Sequence, residues 1–402
     1  MITSAEALDA VLGAMQTQDS EAVELGGAVG RTLRQSVIAE RDQPPFDRVM
    51  MDGIAIAVAD LKGGSRRFPL QATQAAGDAR LALESGKAIE IMTGAALPAG
   101  ANCIIPVERI SVSAGHAEVE DGYEAAEGQF IHAQGSDHAQ GTELLSAGHR
   151  VAAPDVAIIA SCGLTEVAVS RMPAIRVIST GNELVPAGKP IQPHQVRLSN
   201  GPALIAMLRQ HGFEDCAHDH IVDEPAQLEA RIGEHLGAAD ALVLSGGVSM
   251  GKADYVPEVL ASLGVDLVFH KISQRPGKPM WFGVGPNGQP VFALPGNPVS
   301  TLVCCRQYVI PALNKACGRV PGPPDFAALT QDVTFEPALT CFLPVKLLSN
   351  VSGGVLAMPV HTNTSGDFAS LSGTDGYVEL PLEQSRFPAG TAVRLHRWLS
   401  AS

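Results

Sequence analysis

The sequence predicts a multidomain α/β plus β protein, with a doubly wound α/β domain lying between regions richer in short strands. A chain of 402 residues exceeds what one ordinary hydrophobic core serves, so two to four domains are expected. From Met172 to Tyr308, strand-like and helix-like segments alternate, the mark of a parallel sheet with helices on both faces. On either side, short apolar runs are broken by glycine and proline, 41 and 28 residues in all, which predicts turns joining brief strands.

Taken in order, residues 4–38 read as helical, with apolar positions at Ala7, Leu8, Val11, Leu12 and Met15. Past Gln43, Pro44, Pro45 and Gly53 punctuate the chain, and apolar runs at 54–58, 88–92, 103–107 and 117–119 suggest strands. A helix-like stretch returns at 154–162 and stops at Gly163. Residues 1–40 and 141–172 are therefore expected to form one helical body, interrupted by a β-rich insertion at 41–140. An α/β domain is expected at 173–322. It opens on a buried strand at 174–179, and Asn200 can cap a helix that Gly212 ends. A second helix begins at Pro225. A strand at 241–244, a helix at 255–263 and strands at 265–272 and 291–294 follow, and Pro295–Gly296–Asn297–Pro298 opens a helix through Tyr308. Beyond the prolines of 321–324, runs at 341–348, 355–360, 377–380 and 392–395 predict a small β-domain over 323–402.

A formal net charge of −14 argues against general nucleic-acid binding, which neutralises phosphates with Lys and Arg, but leaves a small anionic substrate open. No eighteen-residue apolar run occurs and the N-terminus lacks a basic start followed by an apolar stretch, so neither a membrane span nor a signal peptide is expected. The seven cysteines are odd in number and form no CxxC, which reads as buried thiols in a reducing, cytoplasmic setting.

Ligands of an open parallel sheet bind beyond the carboxyl ends of its strands. Three loops sit at such ends: Ser179–Thr180–Gly181–Asn182–Glu183, Ser245–Gly246–Gly247–Val248–Ser249 and Pro295–Gly296–Asn297–Pro298. Paired glycines let backbone N–H groups approach an anion, although such a pair also serves as a plain turn. Asn297 as N-cap and Pro298 as first helical residue would present unpaired N–H groups to an anion. Arg275 and Lys278 flank a Pro-Gly turn, with Lys271 and Lys252 as additions; they either converge on an anion or form a solvated basic turn. Carboxylates Glu183, Asp223 and Asp254 beside these loops suggest Mg²⁺ bridging to substrate oxygens, while Asp254 suits a helix cap equally well. In the β region, Asp47, Asp52, Thr93 and Gly94 read as turn residues on chemistry alone. His218 and His220 read as surface residues of a strand, and Asp137 and His138 carry no clear role.

The ordered segments resemble the molybdopterin molybdotransferase family, the MoeA-type molybdenum insertases also found as the E domain of gephyrin. They are Pro45-Phe-Asp with Met51-Asp-Gly-Ile-Ala55, Ile91-Met-Thr-Gly-Ala-Ala-Leu-Pro98, Ser179-Thr-Gly-Asn-Glu-Leu184 and Ser245-Gly-Gly-Val-Ser-Met-Gly-Lys-Ala-Asp-Tyr255. Pro276-Gly-Lys-Pro279, Leu294-Pro-Gly-Asn-Pro-Val-Ser300 and Ser365-Gly-Asp-Phe-Ala-Ser370 complete the set. The resemblance implies a helical body interrupted by a β-domain, a molybdopterin-binding α/β domain and a C-terminal β-barrel. It implies a homodimer whose cleft lies between the α/β domain of one subunit and the β region of the other. The implied reaction inserts molybdate into adenylyl-molybdopterin and releases AMP, with Mg²⁺ at Glu183, Asp223 and Asp254. A molybdopterin-adenylylating protein and molybdoenzyme apoproteins are the implied partners. Carried over by position, Asp52, Thr93, Asp137, Glu183, Asp223 and Asp254 match functional positions, as do Arg275, Lys278, Pro295 and Pro298.

This chain departs from the family pattern at Arg48, Ile54, Glu90, Asn182 and Arg275. The family usually reads Asn-Ser-Ala-Met-Asp-Gly-Tyr where this chain reads Arg48-Val-Met-Met-Asp-Gly-Ile54. Glu90 stands for a usual Arg, Asn182 for an acidic residue and Arg275 for a Lys, so an altered substrate edge in the β region is expected. Two other readings are a molybdopterin adenylyltransferase, which shares the α/β pattern, and a non-catalytic scaffold.

Overall fold

The computed structural model describes residues 1–247 and 255–399. Strands Ala241–Ser245 and Pro290–Leu294 are buried at every position, as a strand covered by helices on both faces must be. They lie inside a six-stranded sheet ordered Cys216–Ile221, Ile175–Thr180, Ala241–Ser245, Pro290–Leu294, Trp281–Val284 and Asp266–His270. The first four are parallel; Trp281–Val284 runs antiparallel to both of its neighbours, where sequence alternation predicted parallel strands throughout. The reason lies in the links on either side of it, 271–280 and 285–289, both helix-free and too short for a parallel crossover.

Each face of this sheet buries its own core. Helices Asn200–Gln210 and Ile310–Ala316 cover one face around Val177, Phe282 and Tyr308; helices Pro225–Ala238 and Val256–Ser262 cover the other around Ile178, Leu244 and Val291. The doubly wound arrangement follows from this alternation of inward-facing residues.

The first helix is Ser4–Ala14, opened by a capping box between Thr3 and Glu6. Its Ala7 and Val11 enter the α/β core beside Ile175 and Tyr308. The helix expected to continue to residue 38 does not. Ser20–Glu24 is a strand, paired antiparallel with Glu166–Ser170, and Leu25–Ala28 is a single turn. The ladder to 166–170 supplies backbone partners a local helix would otherwise provide, and Gly30, at φ +81°, turns the chain away. The body around Leu33, Val37, Leu145 and Ile159 is thus built from two short helices, Leu25–Ala28 and Ala153–Ser161, and paired strands.

Between these halves a second six-stranded sheet runs Cys103–Pro106, Gly53–Ile56, Ala88–Ile91, Arg67–Gln74, His116–Val119, Ile110–Ser113. Alternation along Gly53–Ile56 sends Ile54 and Ile56 into one core and Ala55 into another. Toward the C-terminus, Thr340–Ser349, Val355–Pro359, Asp325–Leu329, Ala392–Arg397 and Gly376–Leu380 pair in a ring that closes between the first and last, a small barrel. Gln274–Arg275 adds itself in parallel to Thr340–Ser349, tying barrel to α/β domain.

Candidate functional site

Strand register decides where the loops meet. Ile178 stands opposite Asp219 and Leu244, Leu244 opposite Ala293, and Ala293 opposite Trp281. The segments after Thr180, Ile221, Ser245 and Leu294, and the turn before Trp281, therefore all leave one edge of the sheet. At this edge lies a cleft of ≈ 550 Å³ lined by Ser179, Thr180, Glu183, Ser245, Gly246, Gly296, Asn297 and Pro298. Leu184, Val196, Arg197, Leu198, Ser199 and Asn200 form another wall, and Phe368 reaches in from the C-terminal region.

The loops are locked by contacts that the sequence did not disclose. Asn200 Nδ2 lies 2.8 Å from Ser245 Oγ, 2.8 Å from the Gly296 carbonyl and 3.2 Å from Thr301 Oγ1, joining two of the three loops. It is not the helix cap expected for it; Ser199 holds that position, without a side-chain bond. Gly246 and Gly247 have φ +103° and +68°, and a Cβ on Gly246 would sit 2.6 Å from the Thr180 carbonyl oxygen. Close backbone approach, not turn propensity alone, thus requires these glycines. Thr180 is buried, and its Oγ1 has no hydrogen-bond partner among the described residues, so the cleft floor holds one unsatisfied polar atom.

The histidines expected at the surface instead brace this edge. His218 Nε2 is 3.0 Å from Ser179 Oγ, and His220 Nε2 is 2.9 Å from the Gly181 carbonyl oxygen. Because a carbonyl only accepts, His220 donates from Nε2. Burial lowers the pKa of His218, favouring the neutral ring beside Ser179. Asp219, between them, is engaged by Arg231 and His235 at 2.7 and 2.8 Å. Asn182, where the family has an acid, accepts from the Asp223 backbone N–H at 3.1 Å, holding the Glu183 and Asp223 loops side by side.

The Pro298 helix start differs from expectation. Asn297 occupies the N-cap position but makes no capping bond; its Nδ2 donates to Ser365 Oγ at 2.7 Å. The Val299 N–H is also taken, by the Ser365 carbonyl at 3.0 Å. The C-terminal segment thereby occupies part of the helix end that the sequence assigned to an anion, while Pro298 does stand in the first turn. Pro295 contributes a carbonyl that accepts from Thr301 Oγ1 at 2.5 Å.

Arg275 and Lys278 are both exposed at the same sheet edge but do not line the cleft. Their turn is rigid. A Cβ on Gly277, at φ +97°, would lie 2.4 Å from Cys304 Sγ, and buried Gln274 donates to the Pro276 carbonyl at 3.0 Å while accepting from Tyr308. Ser249, Lys252 and Asp254 lie outside the described residues.

In the β region, Asp52 and Thr93 come together. Asp52 Oδ1 accepts from both the Thr93 N–H and its hydroxyl, each at 2.7 Å. These bonds, the backbone one foremost, hold the Asp52 carboxyl below its ordinary range. Asp137 accepts from His132 nearby in sequence, Asp47 accepts from the Gln134 N–H at 2.9 Å, and none of Asp47, Asp52, Thr93 or Asp137 lines the cleft of its own chain. Among the departures, Ile54 is fully buried, and the Glu90 carboxylate accepts from Thr73 Oγ1 at 2.7 Å.

All seven cysteines are buried and free, and burial pushes the Cys103, Cys305 and Cys341 thiols up to about 11, 12 and 12. Such thiols are poor nucleophiles. Among the described residues no group of three His, Cys, Asp or Glu side chains is placed to hold a metal, and no helix is long and apolar enough to cross a membrane.

Comparison with known proteins covers almost the whole chain. Residues 2–163 match the MoeA N-terminal region (domain I and II), 176–315 a probable molybdopterin binding domain, and 327–398 the MoeA C-terminal region (domain IV). A molybdopterin molybdenumtransferase of Synechocystis is 36% identical over 409 residues, spanning 99% of this chain and 100% of that protein. Molybdopterin molybdenumtransferase 2 of Mycobacterium tuberculosis is 33% identical over 389 residues, spanning 93% and 94%. Two crystal structures of the molybdopterin biosynthesis MoeA protein from Pyrococcus horikoshii each superpose with a TM-score of 0.83, at 30% and 26% identity. They cover 99% and 98% of this chain and 99% of each of theirs.

Proposed function

The chain belongs to the MoeA family of molybdopterin molybdenumtransferases and inserts molybdenum into molybdopterin; on that premise we propose that the substrate is adenylyl-molybdopterin, held in the cleft at the carboxyl edge of the α/β sheet. The observation that carries this reading is the convergence of the 179–183, 245–247 and 295–298 loops on one cleft, two of them pinned by Asn200. Backbone approach at Gly246 and Gly247 and the unsatisfied Thr180 hydroxyl suit the oxygens of a phosphate. Arg275 and Lys278 bring positive charge to the same edge, where the guanidinium favours two-point contact with an oxyanion such as molybdate.

Glu183 and Asp223, on loops that Asn182 holds together, would seat Mg²⁺ with Asp254. One or two carboxylates completed by phosphate oxygens are the usual ligands of that ion, so the donor set fits. Bound there, Mg²⁺ supplies charge neutralisation for the phosphoanhydride. The two thiols of the substrate displace one oxygen of molybdate, which leaves as water with both thiol protons, and hydrolysis of the anhydride releases AMP. The protein's share is positioning and charge compensation, with no protein nucleophile.

Asp52, Thr93 and Asp137 come to this cleft from a second copy of the chain, whose β region completes it; that none of them lines the cleft of its own chain supports a homodimer. A molybdopterin-adenylylating donor and molybdoenzyme apoprotein acceptors are the partners in a cytoplasmic setting. An adenylyltransferase needs little beyond the α/β domain, and a non-catalytic scaffold needs no acidic set, so neither accounts for the whole chain. Purified protein with adenylyl-molybdopterin, molybdate and Mg²⁺ is expected to release AMP in a molybdate-dependent manner. AMP release equal with and without molybdate would reject the proposed substrate.

A further inference from the structure

The two-residue ladder Arg48–Val49 with Ile131–His132 sets Arg48 directly opposite His132, so their side chains share one face. Arg48 Nη2 lies 3.1 Å from His132 Nδ1, and His132 Nε2 lies 3.0 Å from Asp137 Oδ1. A guanidinium only donates. Nδ1 must therefore accept from Arg48, the ring proton must sit on Nε2, and Nε2 must donate to Asp137. Direction is thereby imposed along the whole chain of bonds, from cation through ring to carboxylate.

The loop carrying Asp137 is clamped to the segment before Arg48 as well. The Gln134 N–H donates to Asp47 Oδ1 at 2.9 Å, the Gly135 N–H to the Pro44 carbonyl at 3.0 Å, and the Asp137 N–H to the Gln43 carbonyl at 2.9 Å. The backbone of Asp137 is thus fixed independently of His132, and what His132 adds is the orientation of the carboxylate. Oδ1 is engaged, while about half of the Asp137 side chain (51%) stays exposed.

We propose that Arg48 and His132 are positioning residues for Asp137, with Arg48 selecting the Nε2–H tautomer of His132 so that the ring holds one carboxylate oxygen and turns the other toward the substrate. This rests on the reading of Asp137 as a site residue. It also gives Arg48, where the family usually has asparagine, a use specific to this chain. The arrangement resembles the general device in which a histidine's second nitrogen is committed so that the first has one defined role.

Long-range ¹H–¹⁵N correlation spectra of the full-length protein, with the His132 signals identified by their loss in His132→Gln, read the tautomer directly. The expected result is Nε2–H in the wild type and a mixture in Arg48→Ala. In the molybdate-dependent AMP assay, His132→Ala is expected to lower kcat about tenfold, the scale of one lost charge-assisted hydrogen bond, with KM nearly unchanged. His132→Gln, whose amide both accepts and donates, is expected to recover most of that loss. A wild-type Nδ1–H tautomer, or an Arg48→Ala spectrum identical to wild type, overturns the proposal whatever the activities. Unchanged kcat in His132→Ala, when Asp137→Ala is inactive, overturns it too. Full activity of Asp137→Ala would instead reject Asp137 as a site residue, a separate failure from that of the tautomer.

Discussion

Replacing Asn200 by alanine tests whether the cleft depends on one amide. Its Nδ2 faces Ser245 Oγ, the Gly296 carbonyl and Thr301 Oγ1, but two hydrogens satisfy only two of the three at once. Thr301 still has the Pro295 or Asn297 carbonyl, at 2.5 and 3.0 Å, as acceptor for its one hydroxyl hydrogen, and the Ser245 hydroxyl can turn. The Gly296 carbonyl is the group left without a donor. At about 1 kcal/mol for each net hydrogen bond, plus part of the 1–3 kcal/mol for stranding an acceptor, the cost is about 2–3 kcal/mol. Asn200 is only half-buried, so water recovers some of it. If water brings the loss down to about 1.4–2 kcal/mol, the same loss of loop positioning lowers kcat/KM by about 10–30-fold, since about 1.4 kcal/mol is tenfold. Asn200→Asp keeps the shape but points a carboxylate at Gly296 O and adds negative charge where an anionic substrate binds, so its KM should rise beyond that of Asn200→Ala. The assays are molybdate-dependent AMP release and urea denaturation of each variant. An Asn200→Ala enzyme within twofold of wild type, or an Asn200→Asp enzyme as good as Asn200→Ala, would refute the reasoning.

Other perturbations follow from the same geometry. Gly277→Ala places a Cβ 2.4 Å from Cys304 Sγ at φ +97°, so urea denaturation should show a loss of about 2–5 kcal/mol from strain and overpacking together; adding Cys304→Ala should return part of it. No recovery in the double variant would mean that the sulfur is not the obstacle. Thr93→Val removes the hydroxyl donor from Asp52, so the Asp52 carboxyl should move up toward its ordinary range in an NMR titration. A lowered folded pKa contributes stability above the unfolded carboxylate value and loses it as pH falls through the folded value, so this variant should also flatten the acid limb of stability. His211 is pushed down to about 4, by burial foremost, while its Nε2 donates to the Trp398 carbonyl at 2.9 Å. The unfolded chain then binds the extra proton first, so this contribution to stability is complete above about 6.5 and declines as pH falls toward 4. Urea midpoints at pH 4.5 and 7.5 should differ less in His211→Gln than in the wild type, and an equal difference would exclude the buried ring as a cause.

The alternation of buried strands and amphipathic helices, the glycine loops at strand ends and the modular order were legible in the amino acids, because each depends on local patterning. Runs such as Ala241–Ser245 and Pro290–Leu294 must be buried on both faces wherever they lie. Other features depended on what lay across space. Residues 20–24 have no local reason to leave a helix until 166–170 supplies ladder partners. That Glu90 meets Thr73 across the sheet could not be read from its own neighbours in the chain. His218 and His220 look like solvated strand residues until Ser179 and Gly181 arrive beside them. Asn297 looks like a cap until Ser365, from the far end of the chain, takes both its amide and the first helical N–H. Short polar side chains have several partners of similar energy within reach, so their choice is set by which distant group the fold delivers. Apolar periodicity has no such freedom, and for that reason it could be read from the chain alone.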